Sequence, residues 1–280
     1  MISAIAGFLG MIIRFIYGLV NNNYFISIIL FTILTKILLF PLYYTQLKST
    51  EKIKKIGPMD KKIRDKYKND QQKMVEELNK LYSENKINPM GGCLPILIQI
   101  PLIFAMFAIV RQPLTYVLNM PQEQIVEYTK EVLQVEEISD KQANQNEIMV
   151  AKEKNLIDME VFDGFNLGDT PANVFSKDES KKANPLALSI PILTIIFSII
   201  SNKMVQKNNQ MTEEQAEMQK SMNLMMPLLS ASIAYSMPLA LGIYWLLGNI
   251  LQIVQQIVLN LIMKHDEKKE ALALLKEGGN

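Results

Sequence analysis

The chain has 280 residues, 49% of them hydrophobic, a mean hydropathy of +0.10 and a net charge of +1 that conceals strong segregation of charge. A single cysteine, Cys93, excludes an internal disulfide and a multi-cysteine metal centre, and the one histidine, His265, sits in a charged tail. Neither G-x-x-x-x-G-K-S/T nor G-x-G-x-x-G occurs, so the chain carries no motif for nucleotide binding and no cofactor is expected.

Residues 1–23 are apolar around Arg14, with Gly7, Gly10, Arg14, Tyr17 and Asn21 recurring at helical spacing as a weakly polar stripe. A signal peptide needs a basic start and a small-residue cleavage site, and neither is present. The expectation is an uncleaved helix lying in the membrane interface, with a sixth span as the alternative.

Residues 24–47 are long and apolar enough to cross a bilayer, and they hold one charge, Lys36, near the middle. A lysine at the bilayer centre costs about 2.5–3.5 kcal/mol on insertion scales, so it faces a polar cavity or a partner, or else snorkels. About ten residues separate it from either boundary, which favours the cavity. Thr32 and Tyr43 fall on the same helical face.

Residues 48–86 carry twelve Lys or Arg against seven Asp or Glu. Ile53, Ile56, Ile63, Tyr67, Met74, Leu78, Leu81 and Tyr82 supply a thin apolar stripe, which predicts a basic helical hairpin broken at Gly57-Pro58. A solvated charged linker is the plainer alternative. The second span, within 87–112, holds Pro95, Pro101 and Gln99 inside its apolar run, tolerated in a membrane only when neighbours satisfy the freed backbone groups. That argues for a helix inside a bundle with Gln99 turned inward.

The stretch 113–184 is acidic, with fourteen Asp or Glu against seven Lys, and reads as short helices with loops, partly disordered. A third span at 185–202, a loop at 203–220 and 43 uncharged residues from Ser221 to Met263 follow. Pro238 divides those 43 into a fourth and a fifth span, and 264–280 is a charged tail. The fifth span carries Trp245, Asn249, Gln252 and Gln256 along one side, either lining a wet groove with Lys36, Thr32 and Gln99 or bonding between helices. Basic residues concentrate in 48–86, 203–220 and the tail, which places those segments, and the C-terminus, in the cytoplasm and the N-terminus outside.

Several stretches resemble one known family. The run Thr32-Ile33-Leu34-Thr35-Lys36-Ile37-Leu38-Leu39-Phe40-Pro41-Leu42, the basic hairpin, Asn88-Pro89-Met90-Gly91-Gly92-Cys93-Leu94-Pro95-Ile96-Leu97-Ile98-Gln99-Ile100-Pro101 and Gly242-Ile243-Tyr244-Trp245-Leu246-Leu247-Gly248-Asn249-Ile250 are similar, in order, to the YidC/Oxa/Alb membrane protein insertases. The resemblance implies an all-α membrane protein of five transmembrane helices, with an N-terminal interfacial helix and a cytoplasmic helical hairpin. Within that family the resemblance implies the single-membrane bacterial type, expected to lack the large domain that precedes the first span elsewhere.

It further implies a membrane insertase and chaperone, not an enzyme, acting in the bacterial cell membrane through a hydrophilic groove open to cytoplasm and lipid. Lys36 stands where the family has arginine, Trp245 matches the family's last-span aromatic, and Ser201 falls where the family has a glutamine. With Thr32, Tyr43, Gln99, Asn249 and Gln252 these make up the expected client groove. The implied partners are nascent membrane proteins and the lipid bilayer, with the Sec translocon and the ribosome or signal recognition particle machinery as further candidates; no specific nucleic acid is expected. A small ion-coupled transporter is the alternative class, but the repeats of spans usual in transporters are absent.

Overall fold

Three consecutive asparagines set the first turn of the chain. Asn21 and Asn22 adopt left-handed backbone conformations, which asparagine tolerates better than other non-glycine residues. The Asn23 side chain then accepts a hydrogen bond from the Ile26 amide, satisfying a free donor at the next helix start. The turn joins α1 (Ile2–Leu19) to α2 (Tyr24–Lys66). In this computed structural model the backbone is described for residues 2–87, 94–178, 182–206 and 213–277.

The remaining helices are α3 (Gln71–Glu84), α4 (Leu94–Arg111), α5 (Pro113–Tyr116), α6 (Gln122–Leu133), α7 (Asp140–Gln145), α8 (Glu147–Glu153), α9 (Ser189–Gln206), α10 (Glu213–Ser236) and α11 (Leu239–Glu277). Strands β1 (Glu160–Phe162) and β2 (Phe165–Asn166) pair antiparallel, and two 3-10 turns cover Pro171–Phe175 and Pro185–Leu188. The protein is thus mostly helical, and this small hairpin is its one departure, among the described residues, from an all-helical expectation. Three stretches are long and apolar enough to cross a membrane: Tyr24–Ile53, Pro185–Val205 and Leu239–Asp266. Ala4–Leu19, Pro101–Arg111 and Leu224–Ser236 are shorter apolar helices.

The chain separates into two units. The first comprises residues 1–37, 98–198 and 226–249. Here α1 packs on α5, α5 on α6 and α8, and α6 on α7 and α8. Ala6, Leu9, Ile13, Ile16 and Tyr17 of α1 are buried, while Phe8, Met11, Phe15 and Leu19 are exposed. The packed side of α1 is thus mainly apolar, joined by Gly10 and Tyr17 of the weakly polar stripe, and a second apolar stripe stands open.

Over its described residues the acidic segment has the expected short helices with loops, and these share a buried interior. Leu114, Val117, Ile125, Ala143, Val150, Ala151, Ile157, Met159, Phe165 and Leu167 give it a buried interior drawn from many short elements. No single element is periodic for long enough to announce such a core. Its end is also fastened to a membrane helix: the Leu239 and Ala240 amides, free donors in the first turn of α11, donate to the Asp169 and Leu167 carbonyls at 2.8 and 2.9 Å.

The second unit comprises residues 38–97, 199–225 and 250–280. The expected helix break at Gly57-Pro58 is absent, for α2 runs through both residues to Lys66. The turn falls instead at residues 67–70, where the Asp70 side chain accepts from the Lys73 amide and starts α3. Packing on both sides of Pro58 outweighs the lost donor: Ile56, Leu81 and Ile87 form a buried cluster with Ile53, Ile63 and Tyr82 against it. Buried Asp60 accepts from Tyr82 Oη at 2.6 Å and from Arg64 Nε at 2.7 Å, joining α2 to α3. The charged tail is no separate segment but a continuation of α11 as helix to Glu277, with Tyr44 Oη donating to Asp266 Oδ2 at 2.8 Å.

Candidate functional site

The charged position and its neighbours come from α2. Phe31 and Ile28 are wholly buried and fix which side of the helix packs inward, and Thr32 and Thr35 share that side. Both hydroxyls are spent locally. Thr32 Oγ1 donates to the Ile28 carbonyl at 2.6 Å and Thr35 Oγ1 to the Thr32 carbonyl at 2.8 Å. A hydroxyl bonded to its own helix loses its donor but keeps an acceptor lone pair, which makes the burial cheap. Lys36, one turn beyond Thr32, is half-buried, while Ile37 and Leu38 after it are exposed. The helix thus turns from a packed face to an open face at the lysine.

In the same unit, α9 places Thr194 and Ser198 in buried positions, and the Thr194 hydroxyl lacks a hydrogen-bond partner. Trp245 and Asn249 of α11 are half-buried, with Asn249 Nδ2 donating to the Trp245 carbonyl at 3.1 Å. A close approach positions this stretch of α11. A Cβ at Gly242 would sit 2.9 Å from Ile190 Cγ2, so only glycine lets the helix pack this tightly on α9. Gln99 lies on α4, and its side chain falls outside the described ones.

Tyr43, Ser201 and Gln252 belong to the second unit. Tyr43 and Gln252 are half-buried and Ser201 is buried. On α11, Gln256 is buried and its Nε2 donates to Asn260 Oδ1 at 2.9 Å. Sequence reasoning passed over its neighbour Gln255, which is buried with both amide atoms unpaired. Its position off the Trp245–Gln256 stripe hid it. Thr194 was missed because one hydroxyl in an uncharged span gives no signal.

Outside the apolar helices one further polar group stands out. Glu147 is wholly buried at the start of α8, and its carboxylate accepts from the Thr115 amide at 2.8 Å and from Thr115 Oγ1 at 2.7 Å. Burial pushes its carboxyl up to about 7, against the opposing pull of those hydrogen bonds. The same carboxylate, after burial itself, raises the neighbouring Tyr116 phenol above its ordinary value.

Among the described side chains, the apolar helices offer the half-buried Lys36 ammonium, several hydroxyls tied to their own backbone and a few buried amides. That set can solvate and attract a polar chain.

Comparison with known proteins gives a consistent picture. The family model described as "60Kd inner membrane protein" matches residues 15–268. A relative from Fusobacterium nucleatum named "Membrane protein insertase YidC" is 50% identical over 90 residues, covering 32% of this chain and 44% of that protein. A relative of the same name from Caldanaerobacter subterraneus is 41% identical over 109 residues, covering 39% of this chain and 52% of its own length. One from Syntrophobacter fumaroxidans, again so named, is 51% identical over 87 residues, covering 31% and 16%. The chain spans about half or less of the curated relatives it matches.

Proposed function

The chain belongs to the family of the 60Kd inner membrane protein, and on that premise we propose that it inserts integral membrane proteins into the bilayer and helps them fold. It does so through a hydrophilic groove with a central positive charge, lined by Lys36, Thr32, Tyr43, Gln99, Ser201, Trp245, Asn249 and Gln252. The relatives' shared name, membrane protein insertase, supports the reading. The observation that carries it is the half-buried Lys36 at the middle of a long apolar helix, where packed face gives way to open face.

The topology that goes with this reading has five spans in the bacterial cell membrane, with the N-terminus outside and the C-terminus in the cytoplasm. The open stripe of Phe8, Met11, Phe15 and Leu19 on α1 suits a helix lying in the lipid interface. The basic α2–α3 hairpin faces the cytoplasm and receives the nascent chain, with the Sec translocon and ribosome or signal recognition particle machinery as working partners.

No bond needs to be made or broken. An acidic N-terminal or loop segment of the client is drawn toward the Lys36 ammonium, worth about 4 kcal/mol at 4 Å in an effective dielectric of 20. The client's own apolar helix then leaves for lipid, driven by burial of its apolar surface at about 25 cal/mol per Å².

The test uses the purified protein alone in proteoliposomes with paired clients that differ only in acidic residues of the translocated segment. Lys36→Ala should slow the acidic client about tenfold, the equivalent of about 1.4 kcal/mol, and the neutral client less. Lys36→Arg should retain activity and Lys36→Glu should be worse than alanine. Equal rates for Lys36→Gln and Lys36→Arg on both clients, at matched expression, refute the electrostatic role.

A further inference from the structure

The acidic segment ends in a patch that its own fold leaves open. The strands β1 and β2 stack Phe162 on Phe165, with ring centroids 4.7 Å apart, but only Phe165 is buried while Phe162 is 51% exposed. Gly164, in the left-handed region at the hairpin tip, comes close to Asn184, where a Cβ would lie 3.2 Å from Asn184 Nδ2. Asn184 in turn caps the second 3-10 turn by accepting from the Leu186 amide at 2.9 Å. That turn packs on the first, whose last residue Phe175 is 71% exposed, and it presents Leu186 at 56% exposed. Three large apolar side chains therefore stand open on elements that touch one another.

Two observations say what covers them. The second 3-10 turn runs without interruption into α9, and the stretch Pro185–Val205 is one of the three long enough and apolar enough to cross a membrane. Leu186 is the second residue of that stretch, so a span there would put the patch at the level where hydrocarbon meets headgroups. The charge also changes there. The segment as a whole is acidic, yet residues 177–182 hold three lysines against two acids, and Lys177 and Lys182 are exposed. Phe and Leu side chains dipping below the headgroups, with lysines reaching to the phosphates, suit a surface that rests on a membrane.

We propose that the β-hairpin and the two 3-10 turns form a foot that rests on the outer leaflet, with Phe162, Phe175 and Leu186 among the glycerol and upper acyl groups and Lys177 and Lys182 at the phosphates. The foot rests on the reading of 185–205 as a membrane span. It holds the acidic segment down on the bilayer at the start of α9, where the Leu239 and Ala240 amides also donate their hydrogen bonds to it.

The experiment places nitroxide labels one at a time in full-length protein with Cys93→Ser, reconstituted in phospholipid vesicles. Collision with oxygen and with a water-soluble nickel complex is read for Phe175→Cys, Leu186→Cys, Ile196→Cys on α9 and Lys141→Cys on α7. These positions are open in the structure, so labelling disturbs little packing. The expected result is an oxygen-to-nickel ratio at 175 and 186 shifted toward the lipid value of 196 and away from the aqueous value of 141. Ratios at 175 and 186 equal to that at 141, with 196 in lipid, overturn the foot alone. An aqueous value at 196 overturns the span and the foot together.

Discussion

Glu147 is the position where a single atom's worth of charge should be visible across the whole acidic segment. Its carboxyl titrates near 7 in the folded chain against 4.5 ordinarily, so the folded state binds the proton about 3 kcal/mol more tightly. A folded-state value raised in this way means that stability is fully present below about pH 4.5, falls as pH rises through 7 and is flat above it. Glu147→Gln is neutral at every pH, and its amide can accept from the Thr115 amide while donating to Thr115 Oγ1. It should therefore flatten the profile and stabilise the segment at pH 8 by up to about 3 kcal/mol, roughly a hundredfold in local protection. Glu147→Ala removes the acceptors of both Thr115 bonds and should cost about 1–3 kcal/mol at pH 5, a loss offset at pH 8 by removal of the buried charge. The assay is amide hydrogen exchange of α5 and α8 in the full chain in lipid nanodiscs at pH 5 and pH 8, corrected for intrinsic rates. Wild-type protection that does not fall between those values, or a glutamine variant less protected than wild type at pH 8, refutes the reasoning.

The remaining expectations are more local. A cysteine at Lys61 should be labelled only from the cytoplasmic side and one at Asp140 only from outside, read with an impermeant maleimide on intact cells. Gly242→Ala should destabilise the first unit by about 1–3 kcal/mol because its Cβ meets Ile190, read as a lower melting temperature in detergent. Gly248→Ala, where a Cβ meets nothing within 4 Å, should be neutral or stabilise by up to about 1 kcal/mol. Asp60→Ala removes the acceptor of the Tyr82 hydroxyl, whose pKa burial first and Asp60 second push up to about 12. Hydrogen exchange in α3 should then accelerate by about tenfold or more, since losing a buried acceptor costs about 1–3 kcal/mol.

What was legible in the sequence was what composition makes loud. A lone lysine inside an apolar run needs no structure to be noticed, and neither does Pro238 within 43 uncharged residues. The Gly57-Pro58 pair was also loud, and misleading. Local breakers compete with packing, and Ile53, Ile56, Asp60 and Ile63 each gain partners from one unbroken helix. The quieter Asp70 cap marked the real turn. The interior of the acidic segment was hidden for a different reason. Its helices of four to twelve residues are too short for periodicity to register, and the core exists only when they meet. Glu147 could not be told from thirteen other acidic residues, because what distinguishes it is burial beside Thr115 from another helix.

The polar groups of the apolar helices also differ in what they leave over for a client. Ser27, Thr32, Thr35 and Ser230 each donate to a carbonyl three or four residues back, so their burial costs little and their donors are spent. An incoming polar chain meets them only as weak acceptors. Asn249 likewise turns its amide donor onto its own helix. A client carboxylate needs donors, and backbone-tied hydroxyls do not supply them. Lys36 by contrast brings three N–H donors and no acceptor, the side-chain chemistry that complements a carboxylate. On the proposed insertase reading, the Lys36 ammonium is then the group that attracts an acidic client segment, and the hydroxyls add polarity without competing for it.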